Sequence, residues 1–228
     1  MLDAKISEIF FSIQGEGKYV GRPQVFIRFF GCRLGCRMCD TPQGRKAFYG
    51  FKRYSPKQLL KKISRFKKAH SVSITGGEPL EQKDFLKEFL PLLRRKNVKI
   101  YLETNGILFQ ELKEIIRFVD IVAMDIKIPS TTGQKSFWKE HEQFLRVARA
   151  KDVFVKVVVG PKTRLSEIAR AAKLASGVNR DIVFILQPQY SRGNQEILQR
   201  CLAAQRKAAG FLSDVRLVPQ LHKFLRVR

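Results

Sequence analysis

The sequence predicts an α/β fold, a partial (β/α)6-type barrel, from three observations. Short runs of β-branched and aromatic residues alternate with amphipathic stretches of helical period, a pattern that builds a parallel sheet flanked by helices. Six such runs follow the opening segment, which suits an open barrel better than a closed eight-stranded one. No linker or internal repeat divides the chain, so residues 1–228 are expected to form one domain.

The elements can be justified in chain order. The opening run AKISEIFFSI (4–13) precedes the first barrel strand, QVFIRFF (24–30). In SPKQLLKKISRF (55–66) Ser55 can cap a helix and Pro56 suits its first position, where a missing N–H has nothing to lose. Gln58 completes a capping box, and Leu59, Ile63 and Phe66 share one face. SVSIT (71–75) is the second strand. The helix expected over 84–96 contains Pro91, which should kink or shorten it by removing a hydrogen bond and crowding the preceding turn. VKIYLET (98–104), a helix over 110–118, DIVAMDI (120–126), a helix over 137–150, DVFVKVVVG (152–160), a helix over 166–176, DIVFILQ (181–187) and a helix over 194–209 continue the alternation. Active residues of such a barrel belong at the C-terminal ends of its strands.

Composition sets the outer bounds. With 44% hydrophobic residues the chain can bury a substantial core. MLDAKISEIFF lacks a charged-then-apolar leader pattern and no uncharged apolar run could span a bilayer, so a soluble, cytoplasmic protein without a membrane partner is expected. Lys and Arg number 44 against 20 Asp and Glu, a formal charge of +24. These basic residues spread from FKRYSPKQLLKKISRFKKAH through LRRKNVK to FLRVR, with no single arm. The expected surface is diffusely basic, attracting anionic small molecules and binding RNA at most weakly and without specificity. Cys201 has no evident partner, which argues against a disulfide framework and for reduced ligand cysteines elsewhere. It reads as a buried small hydrophobe, and His70 and His141, in or beside helices, read as surface residues.

The chemistry concentrates in GCRLGCRMCDT (31–41), directly after the first barrel strand. Cys32, Cys36 and Cys39 offer three thiolates and no histidine stands near them. A structural zinc site usually closes four ligands, so zinc is under-supplied here, and a chance cluster of buried thiols is the bland alternative. A cubane iron–sulfur cluster takes one thiolate per iron, and three thiolates leave one iron open for chemistry. Gly31 and Gly35 ease the wrap of the loop. TGGEP (75–79) follows the second strand, where its glycines admit close backbone approach and Glu78 can accept from an ammonium group, although two glycines before a proline can also be only a turn. ETNG, MDIKIPS and LQPQY end later strands. Asp125 and Lys127 could equally be a solvated strand-end pair.

The spacing C-x3-C-x2-C resembles the motif of radical S-adenosylmethionine enzymes, and TGGEP is similar to that superfamily's GGEP element. Within it, FFSIQGEGKYVGRPQVFIRFFGCRLGCRMCDT and the closing VPQLHKF resemble the 7-carboxy-7-deazaguanine synthase family across most of the chain. The resemblance implies a radical-class barrel, a [4Fe-4S] cluster, S-adenosylmethionine and Mg2+. It implies conversion of 6-carboxy-5,6,7,8-tetrahydropterin to 7-carboxy-7-deazaguanine on the way to queuosine or archaeosine. The radical cut from the sulfonium would take a hydrogen atom from substrate C6.

By the same resemblance Cys32, Cys36 and Cys39 hold the cluster and Thr41 ligates Mg2+. Met38, Cys39, Gly77, Glu78, Asp125, Ile126, Lys127, Gln187, Pro188, Gln189 and Tyr190 surround the cofactor. Ile13, Gln14, Gly15, Glu16, Arg28, Thr75 and His222 are implied substrate contacts. Arg28 suits a carboxylate because its planar fork can bond both oxygens, while Gln14 and Glu16 can read the pterin edge; the alternative for Arg28 is a salt bridge on its strand. A flavodoxin- or ferredoxin-like protein would donate the electron, and a homodimer is left open. Two other readings compete: a glycyl-radical-enzyme activase, against which SIQGEG argues, and a basic iron–sulfur RNA-binding protein, which would not need amine- and sugar-reading loops in barrel order.

Overall fold

A computed structural model describes residues 2–39, 50–66, 68–190 and 195–227. Among them, one nine-stranded sheet carries the fold. Its strands are β1 (Ala4–Ile13), β2 (Pro23–Phe29), β3 (Lys52–Tyr54), β4 (Ser71–Gly76), β5 (Lys99–Thr104), β6 (Ile121–Asp125), β7 (Asp152–Val159), β8 (Phe184–Pro188) and β9 (Val215–Leu217). They lie in the order β3-β1-β2-β4-β5-β6-β7-β8-β9. From β2 through β9 every neighbouring pair is parallel, whereas β1 runs antiparallel to both β2 and β3. The α/β partial barrel is therefore the fold, with its six expected strands in place and two antiparallel strands and one short parallel strand added at the edges.

The helices are α1 (Pro56–Ile63), α2 (Lys83–Arg94), α3 (Phe109–Ile115), α4 (Pro129–Thr132), α5 (Trp138–Ala148), α6 (Leu165–Val178), α7 (Gln195–Ala209) and α8 (Leu221–Leu225). The start of α1 is capped as its sequence demands: Ser55 Oγ accepts from the Gln58 N–H and Gln58 Oε1 accepts from the Ser55 N–H, at 3.4 and 2.9 Å. Helix α2 runs through Pro91 and stops at Arg94, two residues short of the expected end. No helix of the described residues is long and apolar enough to cross a membrane.

Alternation along the strands creates two faces. On β7, Val155, Val157 and Val159 are fully buried in the main core with Phe144 and Leu145 of α5 and Ile168, Ala171 and Ala172 of α6. Burying each such aliphatic side chain contributes roughly 1.5–3 kcal/mol. The opposite face holds a smaller cluster of Tyr101, Ile121, Ala123, Phe154, Val183 and Ile185, which floors the concave side. His141 corrects an expectation: it is fully buried because it shares the inward face of α5 with Phe144, Leu145 and Ala148. His70 is half-buried, its ring 5.2 Å from that of Tyr19. Cys201 is buried as expected.

Candidate active site

The loop that leaves β2 carries Cys32, Cys36 and Cys39 and is pinned from several sides. The Gly77 N–H donates to the Phe29 carbonyl at 3.0 Å and the Glu78 N–H to the Gly31 carbonyl at 2.8 Å. Further along, the Arg33 N–H donates to Glu81 Oε1 at 2.8 Å, the Arg37 N–H to the Thr132 carbonyl at 2.8 Å and Gln134 Nε2 to the Gly35 carbonyl at 3.0 Å. The glycines of TGG are required by this contact. A Cβ on Gly77 would stand 1.8 Å from the Gly31 oxygen, and one on Gly76, where φ is +128°, 2.2 Å from the Phe29 oxygen.

Above the concave face opens a cleft of about 520 Å³. It gathers Cys32, Cys36, Met38 and Cys39 with Gly77, Asp125, Lys127, Gln187, Gln189 and Tyr190. Ile13, Gln14, Gly15, Glu16, Arg28, Thr75 and His222 line it as well. Three of the described candidates do not line it. Ile126 is part of the apolar core, Pro188 closes the β7–β8 pairing opposite Val159, and Glu78 is buried behind the loop. Thr41 lies outside the described residues.

Glu78 is a bracket between two strand-end loops. Its Oε1 accepts from the Leu80 N–H at 3.2 Å and Thr104 Oγ1 at 2.9 Å, and its Oε2 from the Asn105 N–H at 2.8 Å. Burial pushes its carboxyl up to about 7 despite those donors. These three bonds hold TGG and ETNG in register.

The substrate-side candidates are also differently occupied than their types suggest. Gln14 is buried; its Nε2 donates to Gln24 Oε1 at 3.0 Å and Glu103 Oε1 at 2.9 Å, and its Oε1 accepts from the Glu16 N–H at 3.0 Å. It therefore shapes the 13–16 loop. Arg28 lines the cleft but donates through Nε to Glu8 Oε2 at 2.9 Å, and its guanidinium sits 5.8 Å from the Phe10 ring. The salt-bridge alternative is present, on the edge of the guanidinium that carries Nε. Gly15 meets His222 so closely that a Cβ would lie 2.1 Å from its Nδ1.

Sequence reasoning did not single out Lys156 or Gln220, and gave Glu103 and Asn105 only within the strand-end motif ETNG; all four line the cleft. Glu103 accepts from Gln14, from Ser73 Oγ at 3.1 Å and from Thr75 Oγ1 at 2.8 Å. Lys156 Nζ is ion-paired to Glu16, whose Oε1 also accepts from Gln220 Nε2 at 2.6 Å. Two of these had a visible signal: a charge inside an apolar strand run, Glu103 in VKIYLET and Lys156 in DVFVKVVVG.

Two tests ask whether these residues fit the groups the motifs imply. Burial pushes the Cys32 thiol up to about 11 and raises Cys36 as well; thiolates here need a cation bound to the sulfur, which iron supplies. Among the described residues no three His, Cys, Asp or Glu side chains converge on one metal ion, and thiols that each serve a different iron of a cubane need not do so. Secondly, Asp125 Oδ1 and Gln187 Oε1 are buried at the cleft with no hydrogen-bond partner among the described residues. Such orphaned acceptors suit the hydroxyl and amine hydrogens of a bound ligand. Asp125 Oδ2 already accepts from Lys127 Nζ at 2.7 Å. Burial opposes the Lys127 charge, but Asp125 and Cys36 outweigh it and keep the ammonium protonated.

His141 connects two of these loops, its Nε2 lying 3.1 Å from the Asn105 carbonyl. Burial holds its imidazole down to about 4. Because the folded value is depressed below the unfolded 6.5, the stability it contributes is present above pH 6.5. It is lost as pH falls from there towards 4, at up to about 1.4 kcal/mol per pH unit. Urea unfolding of the metal-free protein should therefore show lower stability at pH 5 than at pH 7, and His141→Gln should remove part of that difference. An unchanged pH dependence in the variant would assign the loss to other groups.

Residues 26–175 match the family model described as the Radical SAM superfamily, the class that this sheet and three-cysteine loop define. Relatives narrow the class. A 7-carboxy-7-deazaguanine synthase of Geobacter sulfurreducens is 42% identical over 243 aligned positions, covering 97% of each chain. The enzyme of that name from Methanothermobacter thermautotrophicus is 33% identical, covering 100% of this chain and 99% of its own. The crystal structure of QueE from Escherichia coli superposes with a TM-score of 0.66 at 25% identity, covering 96% of this chain and 95% of that one. This chain belongs to the 7-carboxy-7-deazaguanine synthase family of radical S-adenosylmethionine enzymes, with the [4Fe-4S] cluster and S-adenosylmethionine that membership entails.

Proposed function

We propose that this chain converts 6-carboxy-5,6,7,8-tetrahydropterin to 7-carboxy-7-deazaguanine with loss of ammonia. The observation that carries the reading is the cleft itself, where the cysteine loop and orphaned strand-end acceptors share one space with the 13–16 loop, Arg28 and His222. When bound, the cluster and S-adenosylmethionine would supply the one-electron chemistry that removes a hydrogen atom from substrate C6.

The chain's own residues bind and orient. Cys32, Cys36 and Cys39 would hold the cluster, and Asp125 Oδ1 and Gln187 Oε1 would accept from cofactor hydroxyl or amine hydrogens. Lys127 holds the other carboxylate oxygen, Oδ2, in an ion pair at 2.7 Å and so fixes the direction in which Oδ1 points. On the substrate side, Phe10 stacks on Phe26 with centroids 5.0 Å apart; with Tyr101 and Phe154 these rings give the cleft apolar walls suited to a planar bicycle. Arg28 would offer its terminal nitrogens to the substrate carboxylate while Glu8 holds its Nε. Thr41, which lies outside the described residues, would ligate Mg2+, a hard cation suited to oxygen ligands. The electron would come from a flavodoxin- or ferredoxin-like carrier in the cytoplasm, and the basic surface would hold RNA only weakly.

Anaerobic incubation of reconstituted protein with S-adenosylmethionine, dithionite and the carboxypterin tests this by mass spectrometry. Product, 5′-deoxyadenosine and ammonia should appear together. Cleavage of S-adenosylmethionine with the pterin returned unchanged would overturn the substrate assignment.

A further inference from the structure

Strand β7 turns Phe154, Lys156 and Val158 towards the cleft. A lysine at an inward strand position must find countercharge or lose its proton. Lys156, its side chain only 15% exposed, is ion-paired to Glu16 and lies 3.6 Å from Asp125 Oδ2. Burial opposes its charge, but Glu16, Asp125 and Glu103 outweigh that and raise its pKa well above the ordinary lysine value. Glu16 belongs to the loop on the substrate side, whereas Asp125 ends β6 and turns towards the cofactor side an oxygen with no hydrogen-bond partner among the described residues. The ammonium therefore spans the two walls of the site.

We propose that Lys156 is a positioning residue for the substrate: its ammonium ties Glu16 to Asp125 and so fixes the spacing at which pterin and cofactor meet. The inference rests on the reaction proposed above. Without that ammonium Glu16, Asp125 and Glu103 would place three carboxylates around one apolar-walled cleft, and their repulsion would push Glu16 out of its place. Asp125 would keep its bond from Lys127, so the cofactor side should hold. A displacement of the substrate by about 1 Å is enough to cost on the order of a hundredfold in productive transfer.

The test compares Lys156→Met and Lys156→Arg with wild type as cluster-loaded protein. Two quantities are read: the affinity for 7-carboxy-7-deazaguanine by calorimetry with S-adenosylmethionine present, and the ratio of 5′-deoxyadenosine to product in turnover. Lys156→Met should weaken product binding by about tenfold or more, the worth of a charged hydrogen bond, and raise the ratio, with S-adenosylmethionine affinity nearly unchanged. Lys156→Arg should restore most of both. Glu16→Gln should copy the methionine variant, and the double variant should be no worse than either single one, because all three break the same link. If Lys156→Met does not fold, Lys156→Gln carries the same comparison. Wild-type affinity and ratio in the Lys156 variants, or losses that add in the double variant, would overturn the inference. Wild-type protein that neither binds the product nor converts the pterin would overturn the parent reading instead.

Discussion

Cys36→Ala should abolish reductive cleavage of S-adenosylmethionine altogether. Cys36 is the most enclosed thiol of the loop at 6% exposure, and its neighbours on the chain are fixed by the Arg37–Thr132 and Gln134–Gly35 bonds. No other cysteine can replace it, since Cys201 is buried on α7 in the core. Wild type reconstituted without oxygen should carry about one [4Fe-4S] unit per chain, with a reduced spectrum that changes when S-adenosylmethionine reaches the open iron. The variant should lose both signals while its far-ultraviolet dichroism stays native, because the thiol contributes little packing. Stoichiometric zinc in wild type, with no iron, would defeat the cluster assignment.

Gly77→Ala should be almost as damaging with a change of one methyl group. The new Cβ would need the space of the Gly31 carbonyl, whose oxygen is 1.8 Å and carbon 2.4 Å away, with the Cys32 nitrogen at 3.1 Å. These are backbone atoms and cannot rotate aside, so the cysteine loop must move. Relief would break the Gly77–Phe29 and Glu78–Gly31 bonds and displace Cys32 from its partners. Overpacking of this kind costs about 1–3 kcal/mol. The expected result is a lower melting temperature together with iron bound well below stoichiometry. A variant that reconstitutes and cleaves S-adenosylmethionine like wild type would show that the contact is not needed to seat the loop.

Local pattern carried most of the fold. The helix expected over 166–176 is Leu165–Val178 and the strand expected over 71–75 is Ser71–Gly76, because both repeat their period several times. Strands β3 and β9 have three residues each, too few for any period to register, and α4 and α8 are similarly short. His141 was readable but misread: it falls at the inward spacing of Phe144, Leu145 and Ala148, and residue type was given more weight than position. The candidate site was legible as a set of residues and less so as a set of bonds. Which partner Arg28 takes, or that both Nε2 hydrogens of Gln14 are already engaged, depends on Glu8, Gln24 and Glu103 arriving from other strands, and spacing along the chain carries no trace of that.

The bond from Gln220 to Glu16 joins positions 204 apart, and the Leu221 N–H closes on the Gly15 carbonyl at 2.9 Å beside it. The two contacts tie opposite ends of the chain to one wall of the cleft. The described part of the cysteine loop is braced by residues 75–81 and 132–134, whereas the 13–16 wall is closed by residues 220 and 221. A fault confined to residues 220 and 221 should therefore loosen the wall that faces the substrate and leave the seat of the metal untouched.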